Sequence, residues 1–246
     1  MDFDTLVDEA LTSPFTGWDF GAFHGRFVTG STPWSYEDFV RERIRRMTSL
    51  LDIGTGGGEL LASLAPLPIR TAATEGHPPN IPVARERLTP LGVEVAGVTD
   101  DMLPFPDASF ELVVNRHHSY DAAEVRRVLT RDGTFFTQQV SGRDLAGLNA
   151  ALAAPRHRNH DWDLQQAIID LTEAGFAVTW RAESAGWAEF FDVGAIVMYL
   201  RVVSWQVPDF DVEKYRPRLR ALHEQAQAGR PLRFRYHRFA LIAKPA

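Results

Sequence analysis

The stretch Leu50-Leu51-Asp52-Ile53-Gly54-Thr55-Gly56-Gly57-Gly58-Glu59 decides how the rest of the chain is read. A short apolar run leads into three spaced glycines, Gly54, Gly56 and Gly58, and a helix-forming segment follows at once. This is the pattern of a buried strand, a tight loop and a helix start. Glycine tolerates positive φ and lets a ligand lie against bare backbone, at a cost in conformational entropy. Glycines spaced this way gain nothing in packing, so the loop reads as a cradle. Its charge says what it cradles. A dinucleotide fingerprint needs glycine at position 59, where this chain has Glu59, and no Gly-Lys-Ser/Thr follows for a mononucleotide loop. Asp52 and Glu59, on either side, repel a pyrophosphate. The expected ligand has no phosphates and carries cationic groups.

Outward from the loop, short apolar runs alternate with helix-period segments. The spacing predicts strands over 49–54, 69–75, 93–98, 110–115 and 134–140, with helices over 59–65, 81–91 and 121–129 between them. Pro82 falls in a first helical turn, where its missing N–H costs nothing. Ala122, Val125, Val128 and Leu129 share one helix face, with Arg126 and Arg127 turned outward. Short connections between parallel strands require right-handed crossovers and give an open, doubly wound sheet. Further along come a helix over 164–174, a strand over 176–183, a charged helix over 212–228 and a closing strand over 234–243. The expected fold class is α/β: a Rossmann-like, mostly parallel, seven-stranded sheet with helical additions at the N-terminus and before the last strand. One domain covers 1–246: a helical cap (1–48) ending in a helix over 36–47, a cofactor-binding core (49–140), and the remaining sheet with a substrate-side helical insertion (141–246).

Composition excludes several classes. Of 246 residues, 45% are hydrophobic, enough for a large core; 26 basic against 32 acidic side chains leave a net charge of −6, the wrong sign for a broad nucleic-acid face. With no cysteine, disulfides, thiolate catalysis and Cys-based zinc sites are out. The opening residues, MDFDTLVDEALTSPF, lack the basic and apolar regions of a signal peptide, and no stretch is long and apolar enough for a bilayer, so a cytoplasmic protein without a membrane partner is expected. His157, His160, Asp161 and Asp163 cluster in a polar, arginine-bearing segment without a helical histidine pair, and no metal is expected there. In the basic segment 230–238, strand alternation places Leu232, Phe234 and Tyr236 inward and the arginines in water.

The segment 49–140 resembles the class I S-adenosyl-L-methionine-dependent methyltransferases, of the small-molecule, type 11 kind. The glycine loop, with Asp52, Gly54, Thr55, Gly56 and Gly58, looks like that family's first motif. Glu75 ends the second strand, where the resemblance implies an acid accepting from both ribose hydroxyls. Asp100-Asp101-Met102, ahead of Leu103-Pro104-Phe105, is similar to the adenine loop; either aspartate could take the adenine amino group. Asn115, ending the fourth strand, matches the position beside the methionine part of the cofactor, and Asp132-Gly133 matches the turn into the fifth. The implied cofactor is S-adenosyl-L-methionine. A short-chain dehydrogenase would need lysine four residues after a tyrosine; after Tyr36, Tyr120, Tyr199, Tyr215 and Tyr236 stand Val40, Glu124, Val203, Leu219 and Ala240.

Methyl transfer of this kind is a displacement at a sulfonium methyl, with a base where the acceptor carries a proton. His117 and His118 follow the fourth strand directly, and imidazole titrates near neutrality, so each is a candidate base or a structural histidine. Tyr120 stands beside them. Trp34 and Tyr36 lie in the segment that folds over the cofactor in many relatives, where an aromatic face attracts a sulfonium charge. Trp187 and Phe190 belong to a second aromatic region, with Phe191, Tyr199, Trp205 and Phe210. These rings are candidates for the walls of an acceptor pocket or for the core of the added helices. The expected substrate is a small molecule; the end of the fourth strand, Asn115-Arg116-His117-His118, lacks the Asn-Pro-Pro-Tyr pattern of base-methylating relatives.

Overall fold

In chain order the strands are β1 (Phe27–Thr29), β2 (Ser49–Ile53), β3 (Arg70–Glu75), β4 (Glu94–Gly97), β5 (Phe110–Arg116), β6 (Leu129–Val140), β7 (Phe176–Phe190) and β8 (Leu232–Pro245). The helices are α1 (Phe3–Thr12), α2 (Tyr36–Ile44), α3 (Glu59–Ser63), α4 (Asn80–Leu88), α5 (Ala122–Val128), α6 (Ala146–Leu152), α7 (Leu164–Glu173), α8 (Val193–Val202) and α9 (Val212–Gln227). The computed structural model describes residues 1–15 and 20–246; Trp18, one of the N-terminal aromatics, lies outside the described residues.

β2 is buried along its whole length between parallel neighbours, β3 and β5. A strand covered on both faces needs no polar alternation, which explains the continuous run before the glycine loop. β4 extends the parallel set beyond β3, and β6 extends it beyond β5. β8 then pairs antiparallel with both β6 and β7, giving the order β1-β7-β8-β6-β5-β2-β3-β4. All carboxyl ends of the parallel strands face one edge, where such sheets bind ligands.

The sheet has eight strands where the sequence predicts seven. The difference lies in the length of β7, which continues to Phe190 instead of ending near residue 183. Val140, the last residue of β6, is level with Arg238 of β8, but β7 and β8 stay paired as far as Phe190 and Leu232. The overhang leaves a bare edge, and residues 27–29 cover it as β1. So the second aromatic region begins on a strand, not in a helical insertion. Its helical part is α8, which is buried on nearly all sides and hence shows no amphipathic period. The N-terminal segment likewise divides: α1 packs with α8, and α2 lies on the sheet.

Three apolar clusters result. On one face α2, α3 and α4 cover β2, β3 and β6 through Val40, Ile44, Leu61, Leu88 and Phe136. On the other, α5 and α7 bring Val125, Val128, Ala167 and Leu171 against Phe135 and Phe176. Phe135 and Phe136 are neighbours in sequence and serve opposite faces, as strand geometry requires. The third cluster joins α1, α6, α8 and α9 to the overhang and caps the carboxyl edge on one side. In β8, Leu232, Phe234 and Tyr236 do point inward.

Phe190 belongs to this third cluster. It is 1% exposed, with ring centroids 4.6 Å from Phe27, 5.4 Å from Tyr199 and 6.0 Å from Phe234. A buried ring in such a nest cannot line a pocket, so the acceptor-wall assignment of Phe190 is corrected: it is core. Phe190→Ala should lower stability by about 3–5 kcal/mol, the usual cost of deleting a buried aromatic ring. Urea unfolding measures it, and an unchanged midpoint would show that the ring is not packed.

Candidate functional site

The glycine loop turns with Gly54, Gly56 and Gly58 at φ of 73°, 64° and 80°, the left-handed region that side chains avoid. At Gly58 a Cβ would also come within 2.8 Å of the Leu88 side chain of α4. The loop is tied to β3 by its own backbone: Gly54 and Thr55 N–H both donate to the Thr74 carbonyl. Glu75 then completes the turn. One carboxylate oxygen accepts from Gly56 N–H at 2.6 Å and the other from His77 N–H at 2.7 Å. Each oxygen can accept one more donor.

Asp52, next to last in β2, is buried beside it. Burial raises its pKa to about 6, and the nearby Glu75 charge pushes the same way. Two hydroxyls, Tyr36 OH and Thr55 Oγ1, are buried with no hydrogen-bond partner among the described residues. Tyr36 lies within the field of Asp52, and its own pKa stands well above the usual phenol value through burial, then through Asp52. Unbonded buried hydroxyls and a buried acid are costly to keep without a ligand.

At the end of β5, Asn115 is wholly buried. It donates to Ile53 O (3.1 Å) and accepts from Thr137 Oγ1 (2.9 Å) and Gln139 Nε2 (2.6 Å). Gln139 Nε2 also reaches His118 O at 3.0 Å. Asn115 therefore clamps the ends of β2, β5 and β6 and has no surface for a ligand, which corrects its expected place beside the cofactor. The clamp fixes the turn that follows.

His117 takes a left-handed φ of 61°, and its N–H donates to Gln138 O. Its ring is set by a chain of donors. Trp34 Nε1, which can only donate, gives its proton to Gln138 Oε1 at 2.8 Å. The Gln138 amide nitrogen, also only a donor, lies 3.0 Å from His117 Nε2. His117 Nε2 must accept, so the ring is neutral with its proton on Nδ1. Crowding, then the charges of Arg238 and Arg116, hold its pKa well below the usual imidazole value. A titration near neutrality, expected of a free imidazole, is thereby removed, and the lone pair a base would use is already bonded. His118 lies differently: Nδ1 is 2.8 Å from Ser119 O, and its ring covers Gly54, where a Cβ would sit 2.3 Å from its Cγ. The same ring reaches toward Gly76 at the end of β3.

The other expected site residues divide. Asp100 accepts from Met102 N–H in a local turn, while Asp101 holds Ser119 Oγ at 3.0 Å and so joins this loop to the exit of β5. Met102 is exposed. Trp34 packs edge-on to Trp180, and Tyr36 stacks on Phe136 at 4.9 Å. Trp187 is 53% exposed on the overhang with the Arg235 guanidinium over its ring. Tyr120 points into the opposite face, edge-on to Phe135 and Trp162, with its hydroxyl buried and unbonded; it is corrected from pocket to core. Sequence reading missed Thr137, Gln138 and Gln139, although three polar residues running inside an otherwise apolar strand were a legible signal. It also left Arg127 facing solvent. Instead, Arg127 bonds Glu124, Asp107 and the carbonyls of Leu103 and Phe105, pinning the loop between β4 and β5. In the polar segment before α7, Asp163 caps that helix through Gln166 N–H. Among the described residues no group of three or more acids and histidines could hold a metal, and no helix is long and apolar enough to cross a membrane.

The family described as a methyltransferase domain matches residues 51–137, from the glycine loop to the middle of β6. Over 100 residues the chain is 35% identical to the probable methyltransferase PMT6 of Arabidopsis thaliana; the matched part is 36% of this chain and only 17% of that one. A candidate methyltransferase from Bacillus halodurans superposes with a TM-score of 0.62 at 19% identity, covering 87% of this chain and all of that one. The (4+2)-cyclase SpnF superposes with a TM-score of 0.56 at 17% identity, covering 98% and 93%. Residues 51–137 thus match a methyltransferase domain, and the sheet has the fold of these solved structures, the class I methyltransferase fold.

Asp52 supplies a test of the site's electrostatics. Its pKa stands near 6 in the fold against the usual 3.8. Between these values the folded chain holds a proton that the unfolded chain has released, so stability falls as pH rises through the window. Above pH 6 the full penalty applies, about 3 kcal/mol at most. Asp52→Asn should therefore raise the melting temperature of the ligand-free protein at pH 7.5 and lose that advantage near pH 4. Scanning calorimetry at the two pH values checks this; equal melting temperatures at pH 7.5 would put Asp52 in solvent.

Proposed function

We propose that this chain transfers a methyl group from S-adenosyl-L-methionine to a small-molecule acceptor. The observation that carries the reading is the pair of buried acids, Asp52 and Glu75, at a loop shaped by left-handed glycines, with unbonded hydroxyls beside them. Such a seat rejects phosphates, accepts hydroxyl donors and favours cations. The residues fit the cofactor. Glu75 has two lone pairs left for ribose hydroxyls, Asp52 offers negative charge to cationic groups, and Asp100 or Asp101 with Met102 can meet the adenine. When bound, the cofactor supplies an electrophilic methyl on a sulfonium, whose sulfur leaves as a neutral thioether.

The chain's own residues then align the acceptor and exclude water, the main source of rate for such a displacement. His118 must turn off Gly54 before the backbone there can be touched. His117, with Nε2 already accepting, serves as a donor and not as a base. The net charge of −6 favours a small acceptor over a nucleic acid. Mass spectrometry with candidate acceptors should show the gain of one methyl together with formation of S-adenosylhomocysteine. Cofactor binding without any methylated product from a broad acceptor panel would overturn transfer.

Calorimetry should show S-adenosylhomocysteine binding far more tightly than NAD. Glu75→Ala removes an ionised acceptor worth about 1.5–3 kcal/mol per bond, so affinity should drop about ten-fold or more. An unaltered affinity would remove Glu75 from the seat.

A further inference from the structure

At the end of β5, two consecutive side chains present hydrogen-bond donors, Arg116 and His117. His117 Nε2 is closed by the Gln138 amide, and the amide is held the right way round by the Trp34 indole N–H. That leaves the Nδ1–H of His117, on an exposed residue, with no hydrogen-bond partner among the described residues. Next to it, Arg116 is exposed at the tip of β5; among the described residues it makes no hydrogen bond or ion pair, and its guanidinium lies 5.7 Å from the Tyr36 ring, within the field of Asp52 and His117. The second guanidinium nearby, Arg238, is already bonded to the buried Asp144. A guanidinium without a hydrogen-bonded acid and an N–H without an acceptor therefore stand on consecutive residues, in a protein of net charge −6. The Asn115–Gln139 clamp holds the turn that carries them.

We infer that Arg116 and the Nδ1–H of His117 form a carboxylate subsite, and that the methyl acceptor is a small molecule carrying a carboxylate. This deepens the proposed function and rests on it for the word acceptor; the subsite itself does not. A guanidinium and an imidazole N–H are both hydrogen-bond donors, and a carboxylate is the acceptor-only group that matches them. Trp34 and Gln138 are positioning residues here: they fix the tautomer, so that the ring carries its proton on Nδ1, the nitrogen not bonded to Gln138. The same chemistry could be met by the carboxylate of the cofactor's own methionine part, and the experiment separates the two.

The ring is read directly by long-range proton–nitrogen NMR on protein labelled with ¹⁵N-histidine, with His117 assigned from its absence in His117→Asn. At pH 7.5 His117 should show the Nδ1–H tautomer. Gln138→Glu has no proton to give, so the ring should turn over to Nε2–H or become charged. A wild-type ring protonated on Nε2, or one indifferent to Gln138→Glu, overturns the relay. Benzoate then serves as the carboxylate probe, with benzamide as its neutral control. Benzoate should shift the His117 Nδ1 signal with saturation, with and without S-adenosylhomocysteine present, and benzamide should not. Arg116→Gln should weaken benzoate about ten-fold or more and leave S-adenosylhomocysteine within about two-fold. No shift with benzoate overturns the subsite. If Arg116→Gln weakens S-adenosylhomocysteine but spares 5′-methylthioadenosine, which lacks the carboxylate, the group bound is the cofactor's and the acceptor assignment falls. Failure of S-adenosylhomocysteine to bind wild-type protein would sink the proposed function, while the benzoate arm still reports on the subsite.

Discussion

Two carboxylates kept out of water at the ends of adjacent parallel strands constrain this structure more than any other feature. Glu75 survives burial because two backbone N–H groups, from Gly56 and His77, converge on it. Those bonds hold the glycine loop in the left-handed turns that only glycine takes without strain. Asp52 has no comparable set of donors and stays costly, as its raised pKa records. The fold tolerates that cost at one point, and the point is where a cationic ligand would relieve it. Stability and binding are opposed there: any change that makes Asp52 comfortable in the free protein weakens its pull on a cation.

The second constraint is the polar trio of β6. Thr137, Gln138 and Gln139 alternate across the sheet, so Gln138 faces the side of Trp34 while Thr137 and Gln139 meet Asn115. Buried amides are expensive unless every group is bonded, and here each finds a partner. The outcome is a rigid end to β5, from which Arg116 and His117 leave on the side of Tyr36 and Trp34 while His118 turns away from them. His118 goes to the glycine loop, and His117 to Gln138. One turn thus serves both the cofactor side and the acceptor side, and a shift in β6 would disturb the two together.

Much of the parallel half was legible from residues alone, because its signals are local. A strand buried on both faces is a continuous apolar run, a left-handed turn calls for glycine, and Asp121 announces the start of α5 by capping Glu124 N–H. What escaped depends on partners distant in sequence. The length of β7 follows from pairing with β8 some fifty residues on, and β1 exists because that pairing leaves an edge. α8 gives no amphipathic period, since α1 and α9 cover it from outside. Tyr120 sits two residues from His118 yet points away from it, because the chain has already turned into α5 and the opposite face of the sheet.

The same division separates the two halves of the candidate site. The cofactor seat is written in contiguous motifs, since one loop and two strand ends suffice to build it. The acceptor side we propose is assembled from the segment before α2, the tip of β5 and the middle of the β6 trio, joined through Trp34, Gln138 and His117 over 104 and 21 residues of separation. The proton position on His117 has no counterpart in the sequence around it. It follows from an indole that can only donate and an amide that must then face one way, so the chemistry offered to the acceptor is set by a residue that need not touch it.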